Sequence, residues 1–170
     1  TEEDLALEKT RVKVGLMGLG TVGSGVVRLI ENHQEDLVKQ TGMAVEIAKI
    51  LVRDVSKPRS VKVPPDILTD RAEDLLDDPE LDVIIEVIGG IDPAREYVQR
   101  AIRNGKHVVT ANKDLLSTCG AELLTEAAQR GCDLYYEASV GGGVPILRAL
   151  ADSFASDRIT KMMGIVNGTT

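Results

Sequence analysis

A run of apolar residues from Arg11 to Met17 is followed at once by Gly18-Leu19-Gly20-Thr21-Val22-Gly23, and then by Val22, Val26, Leu29 and Ile30 at helical spacing. This predicts a buried strand, a glycine turn and a helix, with the G-x-G-x-x-G at the joint. The three glycines differ in what they permit. One makes the tight turn, one lets backbone approach a pyrophosphate, and one lets helix and strand pack closely. The N-terminus of the helix then offers unpaired N–H groups and partial positive charge to phosphates. A tight turn without a ligand would show the same glycines, but the position between strand and helix favours a dinucleotide.

The alternation continues along the chain. Val45 to Val52 and Leu81 to Ile88 read as further buried strands, the second closed by Gly89 and Gly90. His107 to Thr110, Asp133 to Glu137 and Ile159 to Val166 read as three more. Helices are expected at Asp70 to Leu76, from Asp92 to Ile102, from Gly120 to Arg130, and from Val144-Pro145 to about Ala155. The first helix fades over His33 to Gln40, and Ser56 to Pro65 reads as a loop. Strands alternating with helices predict an α/β fold, a Rossmann-type doubly wound and mostly parallel sheet. The expected organisation is a polar lead-in over residues 1–10, a nucleotide-binding domain over 11–156, and the start of a second domain over 157–170.

Composition narrows the partners. The net charge of −7 and 2% aromatic content argue against a nucleic-acid or anionic-membrane surface, which needs a basic footprint and stacking rings. The weakly polar run from Val14 to Val27 lies between Lys13 and Arg28 and is shorter than the roughly 20 residues of a membrane span. Cys119 and Cys132 lack metal or disulfide spacing and read as packing residues of a protein in a reducing cytoplasm. A small-molecule ligand is the expected partner.

Three further places carry candidate chemistry. At the end of the second strand an acid would accept from a ribose hydroxyl and an arginine would accommodate a 2′-phosphate; here Arg53 and Asp54 are adjacent. With Lys57 and Arg59 nearby the balance favours NADP, with NAD accepted, over a merely solvated loop. Lys113 follows the strand ending at Thr110, where open α/β sheets place ligands; it is either a fixed cation for a carbonyl or carboxylate, or a surface lysine at a helix start. Glu137 to Pro145, EASVGGGVP, joins a carboxylate to a glycine nest. As the end of a buried strand, Glu137 is expected to need a cation, a lysine or backbone donors.

Taken together, GLMGLGTVGSGVV, VTANKDLLS, YEASVGGGVPIL and GIVNGTT, in this order, resemble the homoserine dehydrogenase family from Val12 to the last residue. The resemblance implies reduction of aspartate 4-semialdehyde to homoserine with a nicotinamide cofactor, on the route to threonine, methionine and isoleucine. It places Gly18, Leu19, Gly20, Thr21, Val22, Gly23 and Gly89 on the cofactor side and Arg53 at the 2′-phosphate. Thr110 and Lys113 would lie near nicotinamide and substrate, with Lys113 catalytic. It also implies a monovalent cation, Na⁺ or K⁺, on Glu137 and the carbonyls of Val140, Gly142 and Val144. In the family the substrate acids and a second lysine lie beyond NGTT, and this sequence ends at Thr170 inside that motif. The expectation is therefore a nucleotide domain with little turnover of its own, drawn from a homo-oligomeric parent. A nucleotide-sensing module and another small-aldehyde dehydrogenase are the competing functions.

Overall fold

The computed structural model describes residues 10–164. Six strands form one sheet: β1 (Arg11–Met17), β2 (Ala44–Leu51), β3 (Leu68–Thr69), β4 (Val83–Glu86), β5 (His107–Thr110) and β6 (Leu134–Tyr135). Their order is β3-β2-β1-β4-β5-β6. Every pairing is parallel. The doubly wound α/β expectation is therefore met, in the strand order of a Rossmann sheet. The order reverses between β1 and β4, the two strands at the middle of the sheet.

The helices are α1 (Thr21–Asn32), α2 (Gln34–Thr41), α3 (Glu73–Leu76), α4 (Ala94–Arg103), α5 (Lys113–Arg130) and α6 (Ile146–Arg148). One face of the sheet carries α4 and α5, whose Val98, Ile102, Leu115 and Leu123 close over Met17, Ile84 and Val108. A smaller cluster of Leu16, Val27, Ile50 and Val52 seals the α1 side. Central strands covered on both faces read as continuous apolar runs rather than alternating ones, which is why β1 and β4 stand out in the sequence.

Several expectations need correction. The α1 stripe that packs inward is Gly23, Ser24, Val27 and Ile30, whereas Val22 and Leu29 are 55% and 57% exposed. The stretch expected to fade becomes a separate helix, α2, ended by Gly42 in the left-handed region. Helix α5 begins at Lys113 rather than Gly120 because Asn112 caps it, its side chain accepting from the Leu115 N–H. Strand β6 stops at Tyr135, and Glu137 opens a 3₁₀ turn instead of ending the strand. Helical backbone after Pro145 runs only to Ser153, the last five residues as a wide π turn. No strand forms over the described part of 159–166, residues 159–164. An isolated strand has no ladder partner, and none is offered there. The Asn167-Gly168 turn and the lead-in up to residue 9 lie outside the described residues.

Candidate functional site

Because all strands are parallel, their carboxyl ends share one edge of the sheet, and the candidate residues follow the strand order along it. Arg53 comes after β2, Gly18 to Gly23 after β1, Gly89 after β4, Thr110 and Lys113 after β5, and Glu137 after β6. From β2 to β6 this row spans roughly 19 Å at about 4.8 Å per strand. Crevices at the carboxyl edge, where strand order reverses, are where such sheets bind ligands. A cavity of about 460 Å³ beside Val27, Ile30, Val45 and Val63 is also lined by Arg11 and Ala44, at the amino ends of β1 and β2, and holds none of these groups.

The glycine turn separates packing from binding. Gly18 has φ +104°, and a Cβ there would press on the Val87 carbonyl at 3.1 Å. Its N–H donates to the Leu51 carbonyl at 3.0 Å, tying the turn to β2. A Cβ on Gly23 would sit 2.0 Å from the Gly18 carbonyl oxygen, so only glycine lets α1 lie against the turn. Gly20 differs: φ is −84°, and a Cβ would meet no protein atom within 4 Å. Gly20 is the N-cap residue of α1, where no side chain caps the first turn and no acid occupies it. These are the conditions for an anion at a helix N-terminus.

At the β2 end, Asp54 and Arg53 part company. The Asp54 carboxylate accepts from the Ser56 N–H at 2.8 Å and from the Ser56 hydroxyl at 2.7 Å. These bonds hold its carboxyl below the usual carboxylate range. The Arg59 guanidinium donates to the Asp54 carbonyl. Arg53 is exposed and has no hydrogen bond or ion pair among the described residues. The loop thus ties up its acid and leaves its arginine available.

The β4 and β5 ends hold a polar cluster that sequence reasoning missed. Glu86 is 0% exposed although it carries a carboxylate. One of its oxygens accepts from the N–H groups of Ile88 and Gly89, at 2.9 and 3.2 Å. The other accepts from the Thr110 hydroxyl at 2.6 Å. The Thr110 oxygen in turn accepts from the Asn112 N–H at 3.1 Å. Asn112 donates through its side-chain amide to the Gly90 carbonyl at 2.6 Å while its oxygen caps α5. Thr110 is 1% exposed, and its hydroxyl proton is committed to Glu86, so it has no side-chain donor to offer a ligand. Lys113, the first residue of α5, is exposed and unpaired among the described residues.

Beyond β6, both Glu137 carboxylate oxygens accept backbone N–H groups, from Leu147 and Arg148, each at 2.9 Å. Glu137 therefore caps α6 across the glycine run. The Val144 carbonyl accepts from the Ile146 N–H at 2.8 Å. An all-oxygen set without thiolate or imidazole suits a hard cation, and each engaged oxygen keeps a second lone pair. The residues fit a cation without requiring one. Cys119 and Cys132 are buried free thiols. Among the described residues no group of three or more His, Cys, Asp or Glu side chains could hold a metal ion, and no helix is long and apolar enough to cross a membrane.

The strand order, the glycine turn at the reversal and the uncapped helix start define a dinucleotide-binding domain of the Rossmann class. The family profile described as homoserine dehydrogenase, NAD binding domain, matches residues 18–137. The chain belongs to that family, whose members are oxidoreductases. It is 58% identical to the homoserine dehydrogenase of Bacillus subtilis over 159 residues, 94% of this chain and 37% of that protein. A homoserine dehydrogenase structure from Thiobacillus denitrificans superposes with a TM-score of 0.82 at 40% identity, over 87% of this chain and 34% of that one. A Staphylococcus aureus homoserine dehydrogenase structure at pH 7.5 gives 0.73 at 42% identity, over 77% and 34%. The chain spans about a third of the length of the relatives it matches.

Proposed function

We propose that this domain holds NADP(H), with NAD(H) as the weaker alternative, for hydride transfer between L-homoserine and L-aspartate 4-semialdehyde in a longer protein. The observation that carries the reading is the open Gly20 beside the uncapped start of α1 at the β1/β4 reversal, within a chain of this family. A bound nicotinamide supplies the hydride donor or acceptor. The chain's own residues do the rest. Gly18 to Gly23 and the first turn of α1 take the pyrophosphate, with Gly89 beside them. Arg53 takes the 2′-phosphate, since Asp54 is engaged with Ser56. Lys113 orients and polarises the substrate carbonyl and shares proton transfer with a lysine outside this sequence. Catalytic groups that act as a unit are strongly non-additive, so the 170-residue chain should bind cofactor and turn over little.

The same reading assigns Na⁺ or K⁺ to Glu137 and the carbonyls of Val140, Gly142 and Val144, where the ion would pin the three-glycine run. An ion at ten times its Kd would add about 1.4 kcal/mol of stability. Melting in KCl against tetramethylammonium chloride at equal ionic strength should show that gain, and Glu137→Gln should erase it. The net charge of −7 and two unpaired buried cysteines support a cytoplasmic enzyme of small molecules; a homo-oligomeric longer form is proposed on the family resemblance alone.

The function is tested by the full-length protein: homoserine-dependent reduction of NADP⁺, lost by at least 100-fold in Lys113→Ala, with kcat taking most of the loss. No turnover of homoserine, with turnover of another small alcohol, would move the chain to a different substrate. Cofactor binding without any turnover would leave a nucleotide sensor.

A further inference from the structure

We infer that buried Glu86 is a positioning residue for Lys113, acting through Thr110 and Asn112; the inference rests on the catalytic role proposed for Lys113. A carboxylate excluded from water must be met by donors, and Glu86 meets three: the Ile88 and Gly89 N–H groups and the Thr110 hydroxyl. Among the described residues no cationic side chain pairs with it. Taking the one Thr110 proton fixes the direction of that hydroxyl, whose oxygen is then presented to the Asn112 N–H. Asn112 is thereby held at the end of β5 with both functions of its amide in use. Its oxygen caps the Leu115 N–H and its nitrogen reaches the Gly90 carbonyl. Lys113 is the next residue, and the first turn of α5 that carries it is anchored from β4, from the 88–90 turn and from its own cap.

The chain of bonds runs from a buried charge to an exposed lysine, and its polarity has one sense only. A carboxylate accepts at both oxygens, whereas a glutamine amide has one accepting oxygen and one donating nitrogen. Glu86→Gln keeps shape and volume but leaves at least one donor without its acceptor: the Thr110 hydroxyl in one amide orientation, the Ile88 and Gly89 N–H groups in the other. A role confined to stability would register in melting and in cofactor affinity. Positioning registers in the chemical step beyond any loss of stability, and only while Lys113 is present.

The experiment uses the full-length protein. Glu86→Gln should lower kcat for homoserine oxidation by tenfold or more, with NADP⁺ Kd changed by less than threefold; its unmet buried donor also lowers the melting midpoint, so kcat and Kd are read well below that midpoint. Thr110→Val should lower kcat similarly, and Thr110→Ser should recover most of that loss. In a Lys113→Ala background Glu86→Gln should cost less than twofold, because the group it positions is gone. An unchanged kcat in Glu86→Gln, or an equal further loss in the Lys113→Ala background, overturns the inference while leaving the function standing. A fall in kcat matched by an equal fall in cofactor affinity reduces Glu86 to a structural role and overturns the inference as well. Failure of the unsubstituted protein to oxidise homoserine overturns both readings together.

Discussion

Residues 11–135 and residues 140–164 are built on opposite terms. In the first stretch the strands and α1, α3, α4 and α5 lend side chains to two apolar clusters on the sheet: Leu16, Ile50, Ile84, Val98, Leu115 and Leu123 are all at 0% exposure. In the second, no residue is buried. Phe154, Met162 and Met163 stand 47%, 69% and 85% exposed. The apolar content of the later segment is ordinary; what it lacks is a neighbouring layer. A strand without ladder partners and a short helix without a facing surface gain too little burial to offset the entropy of ordering them. The cofactor row follows the same division. Arg53, the glycine turn, Glu86 and Lys113 stand on packed elements, whereas the proposed cation ligands stand on a turn held by the Glu137 cap.

That contrast can be broken by substitutions, and the largest effect belongs in the core. Ile84→Ala removes a fully buried side chain between β1 and β5 and should cost about 2–5 kcal/mol in urea unfolding. A loss under about 1 kcal/mol would show that the first stretch is not the cooperative unit. Gly23→Ala comes next, because its Cβ would lie 2.0 Å from the Gly18 carbonyl. Moving α1 to relieve this should cost about 1–3 kcal/mol and weaken cofactor binding with it. Gly20→Ala sharpens the comparison: no protein atom lies within 4 Å of the added Cβ, so stability should change by less than about 0.5 kcal/mol, the usual scale of surface changes. Its NADPH affinity should nevertheless fall at least tenfold by titration. Met163→Ala should be the smallest effect, below about 0.5 kcal/mol in the 170-residue chain. A larger loss would mean that the later segment does pack.

How far the sequence could be read follows from the same physics. The limits of β1 and β5, and the glycine turn between β1 and α1, were legible because their requirements are local: an apolar run, a turn and a missing Cβ. Glu86 was not, since IIEVIGG reads as the polar end of a strand until Thr110, 24 residues later, is placed beside it. The early start of α5 was signalled by Asn112 ahead of Lys113 and Asp114, an N-cap pattern that local sequence alone leaves competing with a polar loop. Asp54 and Arg53 looked like two answers to one question, and only the Ser56 bonds separate them. The strand expected over 159–166 does not form in its described part, 159–164, for the opposite reason. Its apolar residues are real, but a strand is made by its neighbours, and local composition does not report whether they are present.

The most direct test of the cofactor site is a calorimetric titration of NADPH and NADH into the 170-residue chain and its Arg53→Ala variant. The free guanidinium of Arg53 meeting a 2′-phosphate is a charge-assisted contact worth about 1.5–3 kcal/mol, a factor of roughly 10–150 in affinity. One site is expected, tighter for NADPH by about that factor, with Arg53→Ala bringing the two cofactors to near equality and leaving NADH unchanged. Equal affinities in the unsubstituted chain, or an NADPH preference that survives Arg53→Ala, would contradict the reading of the β2 end as a phosphate site.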